Sequence, residues 1–347
     1  MVLDKLGFYT KDIFMSEGSI PKRANMHDVA RKAGVSVATV SHVINHTRKV
    51  NPETIEKVEL AISELHYTPN TLARGFKTGR RFLIGLIAPN ISNQFISRII
   101  EETESILTKF GYHLLIANTQ DQAEIEKDTL RFFSSGLVDG ILVASILQDF
   151  DELKAYISPD IPIVFLDRTL RNNPNDTVIM SDYSSMKKGV SYLIEKGFKR
   201  IGYIADNPKI STTQERLKAY QDSLKEFDII FDDSIVFFNA DSDKSNRDQI
   251  QALLQAGCNA IVASNEMITT NIVLFCRNKG IKIPQEIFLL GYKDNSSIDE
   301  FYPEGIYIKQ PVEQIGKTAA LRILKKISGK TSLGGDIIIK SSLQIDE

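Results

Sequence analysis

The runs that come nearest to catalytic or nucleotide-binding chemistry fail on spacing. Gly316-Lys317-Thr318 and Gly329-Lys330-Thr331 carry the Gly-Lys-Thr end of a phosphate-binding loop, but Pro311 and Leu324 stand where the first glycine is required. The chain has no GxSxG elbow to present a nucleophile and no HExxH pair to hold zinc. Cys258 and Cys276 lie in apolar runs without CxxC spacing, which reads as buried thiols in a reducing compartment and implies no metal site. The sequence therefore predicts a protein that is not an enzyme and needs no cofactor.

Chemistry of another kind is carried by the charge distribution. With 347 residues, 42% hydrophobic and 25% charged, and a formal net charge of −2, the composition is that of an ordinary globular protein. Yet from Lys22 to Arg80 ten Lys/Arg stand against five Asp/Glu, and four of the five histidines (His27, His42, His46 and His66) fall in the same stretch. That asymmetry marks a separate unit with an anionic partner. Asp4, Lys5, Lys11 and Asp12 interrupt every apolar run of the N-terminus, so no secretory signal is expected. No run approaches the roughly eighteen apolar residues of a membrane span, and a cytoplasmic location follows. Residues 1–24 carry no pattern and are expected to be a disordered extension.

The elements that position this chemistry are legible in capping and periodicity. Asn25 caps a helix from Met26 to Ala33, Gly34 ends it, and Ser36 caps a second from Val37 to about Asn45. Asn51-Pro52 starts a third, running to about Leu65. Two helices joined by a glycine-containing turn, with small Ala30 where they touch, make a helix-turn-helix. After Tyr67-Thr68-Pro69, the stretch Asn70 to Gly79 is short, basic and weakly apolar, a marginal helix in isolation. From Phe82 short β-rich runs alternate with amphipathic helices: FLIGLIAP, YHLLIA, GILVAS and IPIVFL, then a second set at TVIM, RIGYIA, IVFF, AIVAS and IFLLGY. The fold expected is an all-α head followed by two doubly wound parallel-sheet α/β lobes, with a ligand cleft at the C-terminal ends of strands.

The run MHDVARKAGVSVATVSHVIN and the joint ELHYTPNTLARGFKTGR resemble the head and hinge of the lactose-repressor family, and NISNQF, VFLDR, QERLKAY, ASNE, LGYKDN and IKQP extend the likeness to about residue 330. The resemblance implies a sequence-specific DNA-binding transcriptional regulator, expected to be a repressor. Its body would be of the periplasmic-binding-protein type, and it would act as a homodimer on a pseudo-palindromic operator. It places the head at 25–69, the hinge helix or linker at 70–80 and the body at 81–347. Within the body the N-lobe is expected at about 81–180 and 309–335, and the C-lobe at about 181–308 and 336–347. The partners implied are operator DNA, a small sugar or a phosphorylated or acidic sugar derivative, and a phosphoprotein co-regulator. Without a signal peptide, and with a basic head, a transport solute-binding protein does not fit. An architectural DNA protein would not need the lobes.

By that resemblance the second helix enters the major groove, with Val37, Ala38 and His42 as base-reading residues. Val37 and Ala38 have no hydrogen-bonding side chains and would contact thymine methyls or exclude bases by shape; the alternative is ordinary helix surface. Ser36, Thr39, Ser41 and Asn45 are the phosphate candidates, with local capping as their other reading. Asn70, Leu72, Ala73, Phe76 and Lys77 belong to the hinge, where Phe76 takes the place of the family's minor-groove leucine wedge or else packs as a linker aromatic. In the body the resemblance assigns the effector to Asn93, Phe95, Asp167, Arg168, Arg216, Asn265 and Gln310. Carboxylates and amides would bridge hydroxyls, arginines donate in a fork, and the aromatic cover an apolar sugar face. One departure stands out: Lys293 occupies the place of a sugar-binding Asp. Either Lys293 enters the cleft and, with the arginines, favours an anionic effector, or it turns to solvent and Asp294 enters instead.

Overall fold

Local capping sets the ends of the first three helices. Asn25 accepts the backbone N–H groups of His27 and Asp28 at 2.9 and 3.2 Å, while its own N–H donates to the Asp28 carboxylate at 3.0 Å. This reciprocal box starts α1 (Met26–Ala33), and Gly34 ends it in the left-handed region at φ 69°. Ser36 Oγ accepts the Thr39 N–H at 3.1 Å at the start of α2 (Val37–Asn45), and Asn51 caps α3 (Pro52–Glu64) with proline in its first turn. Val29, Ala30, Val40, Val43, Val58 and Ala61 close the small core between the three helices.

The computed structural model describes residues 24–45, 48–68, 79–239, 246–293, 304–329 and 335–345. The extension before Ala24, the hinge positions Asn70, Leu72, Ala73, Phe76 and Lys77, and the pocket candidate Asp294 lie outside the described residues. The chain divides into two units, Met1–Gly79 and Arg80–Glu347.

In the second unit the β-rich runs form two six-stranded sheets. The first contains β1 (Leu83–Ala88), β2 (His113–Asn118), β3 (Gly140–Val143), β4 (Ile163–Leu166), β5 (Asp176–Ser181) and β11 (Asp336–Lys340), in the order β11-β5-β4-β3-β1-β2, all parallel. The second contains β6 (Ile201–Ala205), β7 (Val236–Phe238), β8 (Ala260–Ala263), β9 (Phe288–Lys293), β10 (Ile306–Lys309) and β12 (Ser342–Ile345), in the order β12-β10-β9-β8-β6-β7. Here β12 runs antiparallel to β10, an exception to the all-parallel expectation. Helices cover both faces of each sheet, which is why the central strands are buried without alternation.

Of these helices, α4 (Gln94–Lys109), α5 (Ala123–Ser134) and the single turn α6 (Phe150–Leu153) follow strands of the first sheet, and α7 (Tyr183–Glu195), α8 (Ser211–Glu226), α9 (Arg247–Gln255) and α10 (Glu266–Lys279) belong with the second. The last, α11 (Val312–Ile327), returns to the first lobe and lies on α4. Gly316 permits that contact: a methyl there would sit 2.6 Å from Glu102 Cβ and 2.9 Å from the Ile99 carbonyl oxygen.

The sheet pairing corrects two assignments. TVIM, grouped with the second set of strands, is part of β5 in the first sheet. The segment 336–340, expected in the C-lobe, pairs with β5 from Asp336↔Thr177 to Lys340↔Ser181, and only β12 returns to the second sheet. A run such as DIIIK declares a strand but not a sheet; burial of Ile339 against the α11 side of the first lobe decides it. Among the described residues the chain thus crosses between lobes three times, after β5, between β10 and α11, and at Ser341.

Candidate functional site

In the head, α2 turns Val40 and Val43 into the core and leaves Ala38 exposed. Val37 is half-buried and packs against the core rather than standing clear of it, and His42 is half-buried one turn on. The hydroxyls of Ser36 and Thr39 lie 2.8 Å apart within the N-terminal cap, and Asn45 Nδ2 donates to the Ser41 carbonyl at 2.9 Å. These hydrogen bonds stabilise the helix ends. The N-terminus of α2 also presents the positive end of a helix dipole, which suits a phosphate.

In the body, residues of both lobes enclose a cavity of about 290 Å³. Its wall is built at the C-terminal ends of parallel strands, where backbone amides and side chains converge without breaking the sheets. All seven cleft positions assigned by resemblance line it: Asn93, Phe95, Asp167, Arg168, Arg216, Asn265 and Gln310. Asp121, Asp206, Glu266, Thr213 and Asn271, which the sequence reading missed, line it as well. Asp121 and Asp206 follow β2 and β6 closely, and the rule that ligands meet α/β sheets beyond strand ends could have found them.

The polar groups of this wall are held by short bonds. Arg168 forks onto Asp121, with Nη1–Oδ1 at 2.5 Å and Nη2–Oδ2 at 3.3 Å. Its Nε is buried without a hydrogen-bond partner. Arg216 donates from Nε to Asp182 Oδ2 at 2.7 Å and from Nη1 to the Ser264 carbonyl at 2.7 Å, with Nη2 2.6 Å from the same Asp182 oxygen. Its guanidinium also lies 4.7 Å from the Tyr292 ring centroid. Asn265 Oδ1 caps α10 by accepting the Ile268 N–H at 2.8 Å, leaving Nδ2 to donate to Asp206 at 3.2 Å. Asn93 Oδ1 accepts the Phe95 N–H at 3.0 Å and so caps α4.

Burial sets the protonation balance. It pushes the Asp167 carboxyl up, against the pull of Arg168 and Arg216, and the Asp206 carboxyl likewise, against the Asn207 N–H. Burial alone would lower Arg168, but its hydrogen bonds to Asp121 prevail and its guanidinium is held more firmly charged. Arg216 follows the same pattern, with Tyr292 and Asp182 opposing burial. Asp121 and Asp167 reach the cavity from left-handed backbone, at φ 55° and 61°. Such conformations cost energy in a non-glycine residue and concentrate at functional sites.

Lys293 corrects both readings offered for it. It is 5% exposed, so it does not turn to solvent, and it is absent from the cavity wall. Its ammonium lies 4.9 Å from the Tyr307 ring centroid. The reason is the burial of β9 on both faces, which leaves neither side of the strand facing water.

Across the mouth of the cleft the Thr169 N–H donates to Ser211 Oγ at 3.1 Å, and Gln148 Nε2 donates to the Lys209 carbonyl at 3.2 Å, bonds that tie one lobe to the other. No helix among the described residues is long and apolar enough to cross a membrane.

Residues 25–70 match the family profile of bacterial regulatory proteins, lacI family, and residues 82–347 match that of periplasmic binding proteins and the sugar binding domain of the LacI family. The HTH-type transcriptional repressor PurR of Vibrio atlanticus (strain LGP32) is 32% identical over 88% of this chain and 93% of its own length. The HTH-type transcriptional regulator RegA of Clostridium saccharobutylicum is 30% identical over 89% of this chain and 94% of its own. Among solved structures, the lac repressor dimer bound to operator and the anti-inducer ONPF superposes with a TM-score of 0.80 at 25% identity, covering 94% of this chain and 98% of that one. The complex of the transcriptional regulator CelR with cellobiose gives a TM-score of 0.68 at 25% identity, covering 94% and 99%.

Proposed function

The chain belongs to the lacI family of bacterial regulatory proteins, and from that premise we propose that it is a cytoplasmic repressor which reads a pseudo-palindromic operator as a homodimer under control of a small polyol in its cleft. It is a DNA-binding regulator and not an enzyme. The observation that carries the effector half of this reading is the cavity wall: seven residues assigned by the family resemblance, scattered from Asn93 to Gln310, come together around one cavity. At about 290 Å³ the space lies at the small end of ligand pockets, the size of a monosaccharide and not of a peptide.

On the DNA side, one short head offers few base contacts, and two-fold symmetry doubles them. Exposed Ala38 and half-buried His42 are the base-facing residues, with Val37 reaching the groove only by its outer edge. Ser36, Thr39, Ser41 and Asn45 serve as phosphate contacts that set register. Phe76, in NTLARGFK, acts as the minor-groove wedge of the hinge, flanked by Asn70, Leu72, Ala73 and Lys77. The lac repressor dimer bound to operator supports this arrangement by likeness. Nothing in the described residues singles out a docking surface for a phosphoprotein co-regulator, and the proposal rests on the small effector.

Selection of bound sequences from a random duplex library by the full chain tests the reading. The expected result is a two-fold pseudo-palindrome occupied by two chains, with affinity falling steeply as salt rises. Phe76→Ala should abolish preference for that sequence and the bend it carries while sparing binding to random DNA. An asymmetric half-site occupied by one chain would overturn the proposal.

A further inference from the structure

The cavity is short of positive charge. Asp121, Asp167, Asp206 and Glu266 all line it, against Arg168 and Arg216. Both arginines are already committed to protein carboxylates. Arg216 has all three nitrogens engaged by Asp182 and the Ser264 carbonyl, and Asp182 is a further carboxylate directly behind the wall. Arg168 has both Nη atoms on Asp121. Its Nε is unpartnered in a residue that is 7% exposed, a donor that still needs an acceptor. The Asp167 carboxylate, by contrast, accepts no hydrogen bond from the described residues, although it is partly open to the cavity.

Resting on the reading of this cleft as the effector site, we propose that its effector is an amino-polyol, whose ammonium pairs with Asp167 and whose hydroxyl or ring oxygen accepts from Arg168 Nε. The ligand class follows from complementarity. A phosphate or sugar acid would bring more negative charge beside four carboxylates and meet guanidinium groups whose charge Asp121 and Asp182 already offset. A neutral sugar would satisfy the hydrogen bonds but leave the carboxylate surplus in a half-enclosed space. An ammonium relieves that surplus, and charge-assisted hydrogen bonds are about twice as strong as neutral ones. Burial pushes Asp167 and Asp206 up despite the pull of Arg168 and Arg216 on both, so a ligand cation would supply countercharge that the arginines do not complete. A bare metal ion is the poorer occupant, because the described residues offer no cluster of three or more ligands able to hold one.

Matched compounds distinguish these cases. Glucosamine, galactosamine, mannosamine and glucamine, each beside its neutral analogue (glucose, galactose, mannose, sorbitol) and the 6-phosphates of the three sugars, are titrated into the full chain by calorimetry. Thermal shift provides an independent readout. The expected result is at least one amine that binds about tenfold or more tightly than its neutral and phosphorylated counterparts. Asp167→Asn, verified as folded by circular dichroism, should remove that preference by weakening the amine more than its neutral analogue. A neutral or phosphorylated compound binding as tightly as its amine overturns the inference but leaves the cleft as a polyol site. A panel without any amine binding overturns it as well, and if nothing binds in any class, the effector reading of the cleft fails with it.

Discussion

Removing the Asp182 carboxylate should unseat Arg216 and with it the second-lobe wall of the cleft. The two side chains are 1% and 8% exposed, and losing their contacts at 2.6 and 2.7 Å leaves the guanidinium with the Ser264 carbonyl as hydrogen-bond acceptor and the Tyr292 ring face, neither of which carries a countercharge. Breaking a buried ion pair from one side costs about 3–5 kcal/mol, because the surviving charge is left desolvated without its partner. That is a large share of the roughly 5–15 kcal/mol by which folded domains are stable. For a body of this length each 1 kcal/mol lowers the midpoint by about 2–4 °C, so Asp182→Ala should lose on the order of 10 °C. Urea unfolding is the assay, since guanidinium salts would screen the interaction being measured. Far-UV circular dichroism is the probe, because the sequence contains no tryptophan. The discriminating control is Asp182→Leu combined with Arg216→Met, which removes both charges and should recover most of the lost stability. If Asp182→Ala stays within about 1 kcal/mol of the parent, or the double variant is no better than the single, the account of Arg216 as a buried charge held by Asp182 is wrong.

Three further outcomes are expected. Gly316→Ala should force α11 away from α4, since its methyl meets Glu102 Cβ at 2.6 Å and the Ile99 carbonyl at 2.9 Å; a loss of about 1–3 kcal/mol by urea titration is expected, and an unchanged midpoint would contradict the packing described. Ser36→Ala removes the acceptor of the Thr39 N–H and should destabilise the head by about 1 kcal/mol, lowering affinity for operator and random DNA by similar factors. A selective loss of operator binding alone would instead assign Ser36 to base reading. Asp167 has its folded-state pKa raised by burial, so the ionised form is the penalised one and stability declines as pH rises from the ordinary Asp range through the raised value. Asp167→Asn should therefore be more stable than the parent at neutral pH, with the advantage vanishing below the Asp range; an advantage independent of pH would refute the linkage.

The head was almost wholly legible because its determinants are local. Asn25, Gly34, Ser36 and the Asn51-Pro52 pair act within a few residues of themselves, and each helix begins where its cap stands. The connection between β3 and β4 was less faithful: where the alternation predicts an amphipathic helix it has one turn, Phe150–Leu153, followed by a tighter turn at Lys154–Tyr156. Seven cleft residues could be assigned by matching ordered motifs, since strand-end loops keep their place in the chain when the fold is kept.

What the sequence could not decide was set by contacts between distant segments. DIIIK is a strand in any context, but only pairing with β5 puts it in the first sheet, and only the crossing at Ser341 sends the next strand back antiparallel on β10. Lys293 is polar in a list of residues, yet it ends a strand buried on both faces and so lies over Tyr307 instead of in the cleft or in water. Asp121 and Asp206 are unremarked in their own stretches of chain and become a site only where two lobes face each other. Capping and periodicity act over one or two turns of chain and are written in sequence order. Sheet membership, burial and the charge of a cavity are sums over neighbours that folding alone brings together.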